Sequence, residues 1–237
     1  MTHTWNPRPV TSRDLAALLY SALALVGAAV SVALLIVALT HVLDVSTPPW
    51  LGVLMAAAGY AAQFTVLAVL LRRRGWAFSD LGFHRLGTRG WHLVWQIPTS
   101  LLISLALTVL VAALTGLTPE DASTSNGEVL TSAVPWQLAF ILVYLLLGPL
   151  IEEIAFRRLF MGFFDRKVGV LTSTILTSVL FGLVHIIPAV IVWCTLSGLC
   201  MALLTRWHKS LWGGFALHMV NNSLASAGLI MAMAAGA

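Results

Sequence analysis

Residues 15–43 read LAALLYSALALVGAAVSVALLIVALTHVL and contain no Asp, Glu, Lys or Arg. An apolar stretch of more than about 18 residues without charges is the usual mark of a transmembrane helix. The rest of the chain has the same character, because 59% of its 237 residues are hydrophobic and only 9% are charged. Soluble domains carry about 25% charged residues. The composition therefore predicts an all-α, polytopic membrane protein.

Six further apolar segments follow this first one. The predicted transmembrane spans cover residues 15–43, 50–71, 92–117, 136–164, 169–187, 189–205 and 211–235. Short polar breaks separate them, and no internal repeat or low-complexity linker is evident. We therefore predict a single integral membrane domain, residues 1–237, built as a helical bundle of about seven spans and surrounded by membrane lipids.

The basic residues predict the orientation of this bundle. All 13 Lys and Arg residues lie at alternate breaks or, for Arg157 and Arg158, near the end of the fourth span, which leads into such a break. They are Arg8, Arg13, Arg72, Arg73, Arg74, Arg85, Arg89, Arg157, Arg158, Arg166, Lys167, Arg206 and Lys209. The opposite breaks contain none, and the longest of them carries Glu120, Asp121 and Glu128. Because cytoplasmic loops are enriched in Lys and Arg, we expect a cytoplasmic N-terminus.

The same distribution argues against a nucleic-acid partner. The net charge is +4, but the basic residues form short clusters between apolar runs. A nucleic-acid groove needs a basic stripe interleaved with aromatic side chains, and the sequence has none. We expect no nucleic-acid binding.

The segment PLIEEIAFRR, residues 149–158, places two adjacent carboxylates in an apolar helix. Such charges are costly in a membrane unless they face a cavity or a partner. Glu153 and Arg157 are four residues apart and can pair along one helical face. Neighbouring helical residues lie about 100° apart, so Glu152 is expected to face elsewhere, into a polar cavity. Alternatively, both glutamates cap the cytoplasmic helix end beside Arg157 and Arg158.

Two further segments carry polar groups on other predicted spans. Residues 181–185, FGLVH, end in His185, and residues 218–222, HMVNN, place His218 and Asn222 one helical turn apart. Taken singly, a histidine can be a packing residue and an asparagine can bond a neighbouring helix. Because the spans otherwise contain very few ionisable residues, three such segments together indicate one shared site.

His185 reaches that site only under a condition on its helix. A straight helix from Lys167 would carry it about 27 Å, close to the outer face of the membrane. A short hairpin bent at Pro188 that stops before the outer surface would bring His185 level with Glu152. We predict this second arrangement.

One Glu, two His and one Asn are suited to activating water. The glutamate can take a proton from water as a general base, and a histidine can orient the same water. A His and Asn pair can donate hydrogen bonds to a developing oxyanion. Alternatively, Glu152, His185, His218 and Asn222 could ligate zinc with an open position for water. The H-E-x-x-H signature of helical zinc proteases is absent, and both mechanisms stay open at this point.

Together these segments resemble the signature of the CAAX-processing and bacteriocin-processing intramembrane proteases, prokaryotic relatives of the type II CAAX prenyl endopeptidase. The resemblance covers about the last 90 residues and implies a catalytic core over 136–235. It implies that Glu152 is the catalytic base, that His185 helps to activate water, and that His218 and Asn222 stabilise the oxyanion. It further implies that Glu153 and Arg157 are structural supports.

The predicted function is therefore an intramembrane endopeptidase that cleaves a membrane-associated peptide or protein near the cytoplasmic leaflet. The glutamate mechanism requires no cofactor, whereas members of this family are often described as metalloproteases. The alternative is a non-proteolytic membrane protein that confers bacteriocin self-immunity or scaffolds a complex and keeps the motif as a structural network. A transporter would be expected to show repeat symmetry and paired broken helices, and no repeat is evident.

Overall fold

A computed structural model describes residues 8–118, 133–227 and 231 of the chain. Within these residues the chain forms helices and turns and no β-strand, which confirms the all-α prediction. The helices are α1 Ser12–Leu43, α2 Leu51–Arg73, α3 Leu93–Thr115, α4 Val134–Val168, α5 Val170–Leu183, α6 Pro188–His208 and α7 Leu211–Ala225. Two short 3-10 turns, Phe78–Leu81 and Gly87–His92, lie between α2 and α3.

Five of these helices are long and apolar enough to cross a membrane, namely α1, α2, α3 with its preceding turn, α4 and α6. Their outer surfaces carry large apolar side chains, and Leu34, Leu102 and Leu114 are 67%, 67% and 77% exposed. Lipid tails can cover such surfaces, whereas a soluble protein rarely exposes them contiguously. The protein is therefore an integral membrane protein.

Helices α5 and α7 are shorter than the other helices in the described residues. Helix α5 has 14 residues, so at about 1.5 Å per residue it is shorter than the ~30 Å hydrocarbon core. Helix α7 has 15 residues in its described part. The end of the predicted span 211–235 lies in part outside the described residues. The acidic residues Glu120, Asp121 and Glu128 lie outside them as well.

The described residues divide into two compact units, each built from separate stretches of the chain. The first contains the described parts of Met1–Ser12, Trp76–Thr124 and Glu152–Asn221, and the second those of Arg13–Gly75, Ser125–Ile151 and Asn222–Ala237. Neither unit is a contiguous segment of sequence. The single domain over 1–237 and the core over 136–235 stay predictions.

The first unit brings α5, α6 and α3 together with the second half of α4. Helices α5 and α6 form a hairpin, and α6 also packs against α3. The segment before α3 contacts the start of α7, because the amide of Leu211 donates to the carbonyl of Gly82 at 2.9 Å and the hydroxyl of Ser210 donates to His84 O at 2.7 Å. The stretch between α2 and α3 is thereby tied to the helix that carries His218.

The second unit contains α1, α2 and the first half of α4. The rings of Trp50 and Trp136 are stacked, with their centroids 4.9 Å apart. The two residues are the first of the predicted spans 50–71 and 136–164. At the other end of α2, the Arg74 Nε lies 2.5 Å from the Asp14 Oδ1, and only 2% of the Asp14 side chain is exposed. Aromatic stacking and an ion pair thus anchor the two ends of α2.

Helix α4 is not uniform along its length. It contains two π-helical stretches, Val143–Leu147 and Glu153–Phe160. The π-helix is rare and occurs mostly as short insertions, frequently at functional sites. The second stretch includes most of the predicted motif, so the motif departs from regular α-helical geometry.

Candidate functional site

The π-helical stretch Glu153–Phe160 is polar in sequence yet enclosed by the first unit. All of its residues from Glu153 to Leu159 are buried, including two arginines. Buried charges are costly unless each is paired or hydrogen-bonded. The partners of these charges therefore define the site.

Arg157 pairs with Glu153 and is held from three directions. Its Nε lies 3.5 Å from Glu153 Oε2, and the two side chains are 1% and 0% exposed. Its Nη2 donates to the carbonyl of Gly198 at 3.1 Å and lies 3.3 Å from the Met201 sulfur. The guanidinium carbon lies 4.3 Å from the centroid of the Phe181 ring. The buried guanidinium of Arg157, on α4, thus contacts residues of both α5 and α6.

Gly198 allows this close approach of α6. A Cβ at this position would lie 2.8 Å from the Phe181 ring and 3.2 Å from Arg157 Nη2. Contacts below 3.0 Å require something to move, so a side chain here would displace the ring or the guanidinium. The glycine lets the Gly198 carbonyl serve as an acceptor for Arg157.

His218 lies between the two adjacent carboxylates of α4. Its Nδ1 is 3.1 Å from Glu153 Oε1, and its Nε2 is 3.5 Å from Glu152 Oε2. The sequence predicts that the two glutamates face different directions, and the structure shows that both nevertheless reach the same imidazole. Each carboxylate contacts a different ring nitrogen. Glu152 ends the α-helical part of α4, and Glu153 begins its second π-helical stretch.

The imidazole of His218 links the two carboxylates through its two nitrogens. A carboxylate can only accept a hydrogen bond, so His218 Nδ1 is the donor in the contact with Glu153. The opposite nitrogen, Nε2, faces Glu152 Oε2 at 3.5 Å. Glu152 and His218 are therefore next to each other in the site.

Glu152 is the more accessible of the two glutamates. Its side chain is 25% exposed, against 0% for Glu153. A general base must reach a substrate or a water molecule, whereas a supporting carboxylate need not. This difference in burial separates the two adjacent residues by environment.

His185 joins the site through the Phe181 ring. The ring centroids of His185 and His218 lie 5.0 Å and 5.5 Å from that of Phe181, both edge-on. The His185 Nδ1 is hydrogen-bonded to the Phe181 carbonyl at 2.8 Å, and the side chain is half-buried. Helix α5 ends at Leu183, two residues before His185. This short helix supports the hypothesis that the hairpin stops early enough for His185 to approach the other residues.

The two asparagines of α7 have different partners. Asn221 Oδ1 accepts a hydrogen bond from Trp193 Nε1 at 3.0 Å within the first unit. Asn222 belongs to the second unit and donates from Nδ2 to the carbonyl of Tyr144 at 2.9 Å. Tyr144 lies in the other π-helical stretch of α4, where the regular hydrogen-bond ladder is interrupted. Asn222 follows His218 by one turn of α7.

Arg158 does not compete with Arg157 for Glu153. Its Nε donates to Asp80 O at 2.6 Å and its Nη2 to Arg8 O at 2.7 Å. Its guanidinium lies 4.7 Å from the Trp76 ring centroid. The two arginines therefore face opposite ways, one toward the site and one toward the segment before α3.

The candidate ligands do not form a metal site in this arrangement. Among the residues that the structure describes, no group of three or more His, Cys, Asp or Glu side chains is placed to hold a metal ion. Carboxylate and imidazole are chemically suited to zinc, but both nitrogens of His218 already face carboxylates and His185 Nδ1 contacts a carbonyl. No mechanistic step is therefore derived through a metal.

The sequence patterns did not identify several residues that contact the site. Phe181 appeared there only as the start of the His185 segment, although its ring contacts Arg157 and both histidines. Gly198 and Met201, which hold Arg157, lie three residues apart on one face of α6, and this spacing was their only signal. Trp193 belongs to no sequence motif, and only its hydrogen bond to Asn221 in the structure identifies it.

Comparison with known sequences gives a match over the same part of the chain. The family model described as Type II CAAX prenyl endopeptidase Rce1-like matches residues 134–224. This range contains all the residues discussed above as catalytic candidates and their supports. The first three helices lie outside it.

A curated protein of Bacillus subtilis (strain 168), named "Putative membrane peptidase YdiL", is 29% identical over 108 residues. The alignment covers 46% of this chain and 43% of that protein, so the chain spans less than half the length of the relative it matches. No solved structure matches the chain.

Proposed function

Because residues 134–224 match the family model described as Type II CAAX prenyl endopeptidase Rce1-like, we propose that the chain is an intramembrane endopeptidase. The observation that supports the proposal most directly is the partial exposure of the Glu152 side chain beside His218. The neighbouring Glu153 and Arg157 side chains are fully buried. A scaffold would need the buried pair but not an accessible carboxylate next to an imidazole.

In the proposed reaction Glu152 is the general base. It takes a proton from a water molecule while the water oxygen bonds to the carbonyl carbon of the scissile peptide. The carbonyl becomes a tetrahedral oxyanion, and the carbon–nitrogen bond then breaks as the proton passes to the leaving amine. Glu152 is regenerated, so no net proton is consumed.

His218 is proposed to stabilise the oxyanion from Nε2. Its Nδ1 contact with Glu153 orients the ring, as a carboxylate does behind a catalytic imidazole, so that Nε2 can donate to the oxyanion. Asn222, one turn further along α7, is proposed as the second donor, and His185 as the residue that orients the attacking water. The latter two roles come from the sequence resemblance.

The proposed substrate is a peptide or protein segment associated with the membrane near the cytoplasmic leaflet. This follows from the predicted orientation, with the N-terminus in the cytoplasm and the protein in a prokaryotic inner membrane. Glu152 acts on the peptide bond itself, so no particular flanking sequence is proposed for the substrate.

The direct test replaces Glu152 by Gln and measures cleavage of a membrane-tethered peptide by the purified protein in lipid. Gln keeps the size of the side chain but cannot accept the proton, so we expect cleavage to fall by roughly 10²–10⁴. Asp44→Asn, a change at an exposed carboxylate, is the matched control and should leave the rate unchanged. Undiminished cleavage in the Glu152→Gln protein would refute the mechanism. Unchanged function in the cell would favour the immunity or scaffold alternative.

The metal-assisted variant of the mechanism is a separate question. Metal analysis of the purified protein, together with cleavage before and after chelation, distinguishes the two. Loss of cleavage on chelation with recovery on adding zinc would support the zinc alternative. Cleavage that persists after chelation would support the mechanism carried by Glu152 alone.

A further inference from the structure

A cluster of buried polar atoms without partners surrounds Thr205 on α6. Seven buried side-chain polar atoms have no hydrogen-bond partner among the described residues, and four of them are Glu153 Oε2, Arg157 Nε, Arg157 Nη1 and Thr205 Oγ1. Arg157 Nε and Glu153 Oε2 have only their mutual 3.5 Å ion-pair contact. A buried polar group that makes no hydrogen bond is energetically costly, and a concentration of such atoms is a typical binding place for a buried water molecule.

The structure has room for a small partner at this position. A cavity of about 40 Å³ is lined by Arg157, Thr205 and their neighbours on α4 and α6. One water molecule needs about 10–15 Å³. In addition, a Cβ at Gly214 would lie 2.5 Å from both Glu153 Oε2 and Thr205 Oγ1. Since both oxygens lie 2.5 Å from one point, they are at most about 5 Å apart, a separation that one water molecule can bridge.

The chemistry of the cluster selects water over an ion. Glu153 Oε2 can only accept a hydrogen bond, Arg157 Nη1 can only donate one, and the Thr205 hydroxyl can do either. An anion cannot donate a hydrogen bond to Glu153 Oε2, and a metal cation cannot accept one from Arg157 Nη1. Water both donates and accepts, so it satisfies all three groups.

The same cavity reaches the protein surface at one end. Arg206 and Asp165, which also line it, form an ion pair at 2.7 Å with side chains 22% and 29% exposed. Arg157 and Thr205 at the inner end are 3% and 1% exposed. Water can therefore exchange with the outside at the Arg206–Asp165 end and be retained at the inner end.

We propose that a buried water molecule bound by Glu153, Arg157 and Thr205 holds the Glu153 carboxylate so that its other oxygen faces His218 Nδ1. Thr205 is then a positioning residue that acts on His218 through the water and Glu153. The hydration site stands independently of the proposed peptidase function, whereas its effect on the reaction rests on that function.

Hydroxyl-radical labelling of the full-length protein in H₂¹⁸O tests the water directly. Met161 lines the cavity and is only 4% exposed, so radicals formed from a bound water would oxidise it faster than its exposure allows. We expect Thr205→Val to lower Met161 labelling several-fold and Thr205→Ser, which restores a hydroxyl, to recover it. Gly214→Ala, whose Cβ would clash with Glu153 Oε2 and Thr205 Oγ1, should lower it as well.

A matched variant controls for the loss of a buried threonine hydroxyl. Thr177 is also 1% exposed, but its hydroxyl bonds the Ser173 carbonyl of its own helix at 2.7 Å. Thr177→Val should leave Met161 labelling unchanged. Equal labelling in wild type, Thr205→Val and Gly214→Ala would overturn the hydration site.

Peptide cleavage supplies the second measurement. We expect Thr205→Val to lower kcat with KM unchanged, because Thr205 does not touch the substrate, and Thr205→Ser to restore it. A fall in kcat without any change in Met161 labelling would overturn the water-mediated role. If the wild type cleaves no peptide, the proposed function fails, and Met161 labelling still decides the hydration site.

Discussion

At the scale of single residues, Glu153 and Arg157 are fully enclosed opposite charges, with side chains 0% and 1% exposed. Replacing Glu153 by Gln would leave the Arg157 guanidinium buried beside a neutral group. Breaking a buried pair from one side typically costs about 3–5 kcal/mol. We expect a loss of unfolding free energy of this size in Glu153→Gln, measured by denaturant unfolding in detergent.

Two comparisons make this prediction specific. Arg8→Gln removes a half-exposed ion pair, 3.6 Å from Asp80 with side chains 35% and 28% exposed, and should cost only about 0–1 kcal/mol. The double variant Glu153→Gln/Arg157→Met removes both buried charges, so it should lose less than the sum of the single variants. Strictly additive losses would mean that the two side chains do not depend on each other.

At the scale of elements, the turn between α5 and α6 decides whether His185 reaches the site. Ile186 in this turn has φ +66°, a left-handed conformation that is unfavourable by about 1–2 kcal/mol for a residue with a Cβ. Its side chain is 82% exposed, so little packing compensates for the strain. The turn therefore depends on the contacts of its flanking helices.

Glycine substitution in this turn gives a testable difference. Ile186→Gly relieves the left-handed strain, whereas Val184→Gly acts at φ −69° and only adds chain entropy to the unfolded state. We expect Ile186→Gly to be more stable than Val184→Gly by about 1–2 kcal/mol. Thermal unfolding of the two variants measures the difference, and equal melting temperatures would contradict the strained turn.

At the scale of the whole molecule, the alternation of basic residues predicts how the protein lies in the membrane. Ser46, between α1 and α2, and Thr88, before α3, are both exposed. Thr88 lies in a break that contains arginines, whereas the break around Ser46 contains no Lys or Arg. In a Cys194→Ala/Cys200→Ala background, we expect Thr88→Cys to react only from the cytoplasm and Ser46→Cys only from outside. A membrane-impermeant thiol reagent, applied to intact cells and to inverted vesicles, measures this.

Both outcomes of the labelling experiment are informative. Reversed labelling would place the N-terminus outside and move the proposed substrate to the other leaflet. Labelling of both cysteines from one side would mean that α2 does not cross the membrane. The similarity to the Rce1-like family model lies in residues 134–224 and is unaffected by either result.

The amino-acid sequence by itself determined the helices, their approximate ends and the polar residues of the site. Apolar run length and the 3.6-residue period are local properties, so they identified α1 to α6 and the pairing of Glu153 with Arg157. The family resemblance rests on the same local motifs. These features needed no knowledge of which helices are neighbours.

Only the tertiary structure decided how those residues are used. That Glu152 and Glu153 meet the same His218, that Phe181 lies between two histidines, and that Gly198 provides an acceptor for Arg157 depend on contacts between distant parts of the chain. The π-helical turn of α4 changes side-chain directions in a way that an ideal α-helical period does not predict. Periodicity specifies which face of a helix is polar, whereas the packing of α4 to α7 specifies what that face touches.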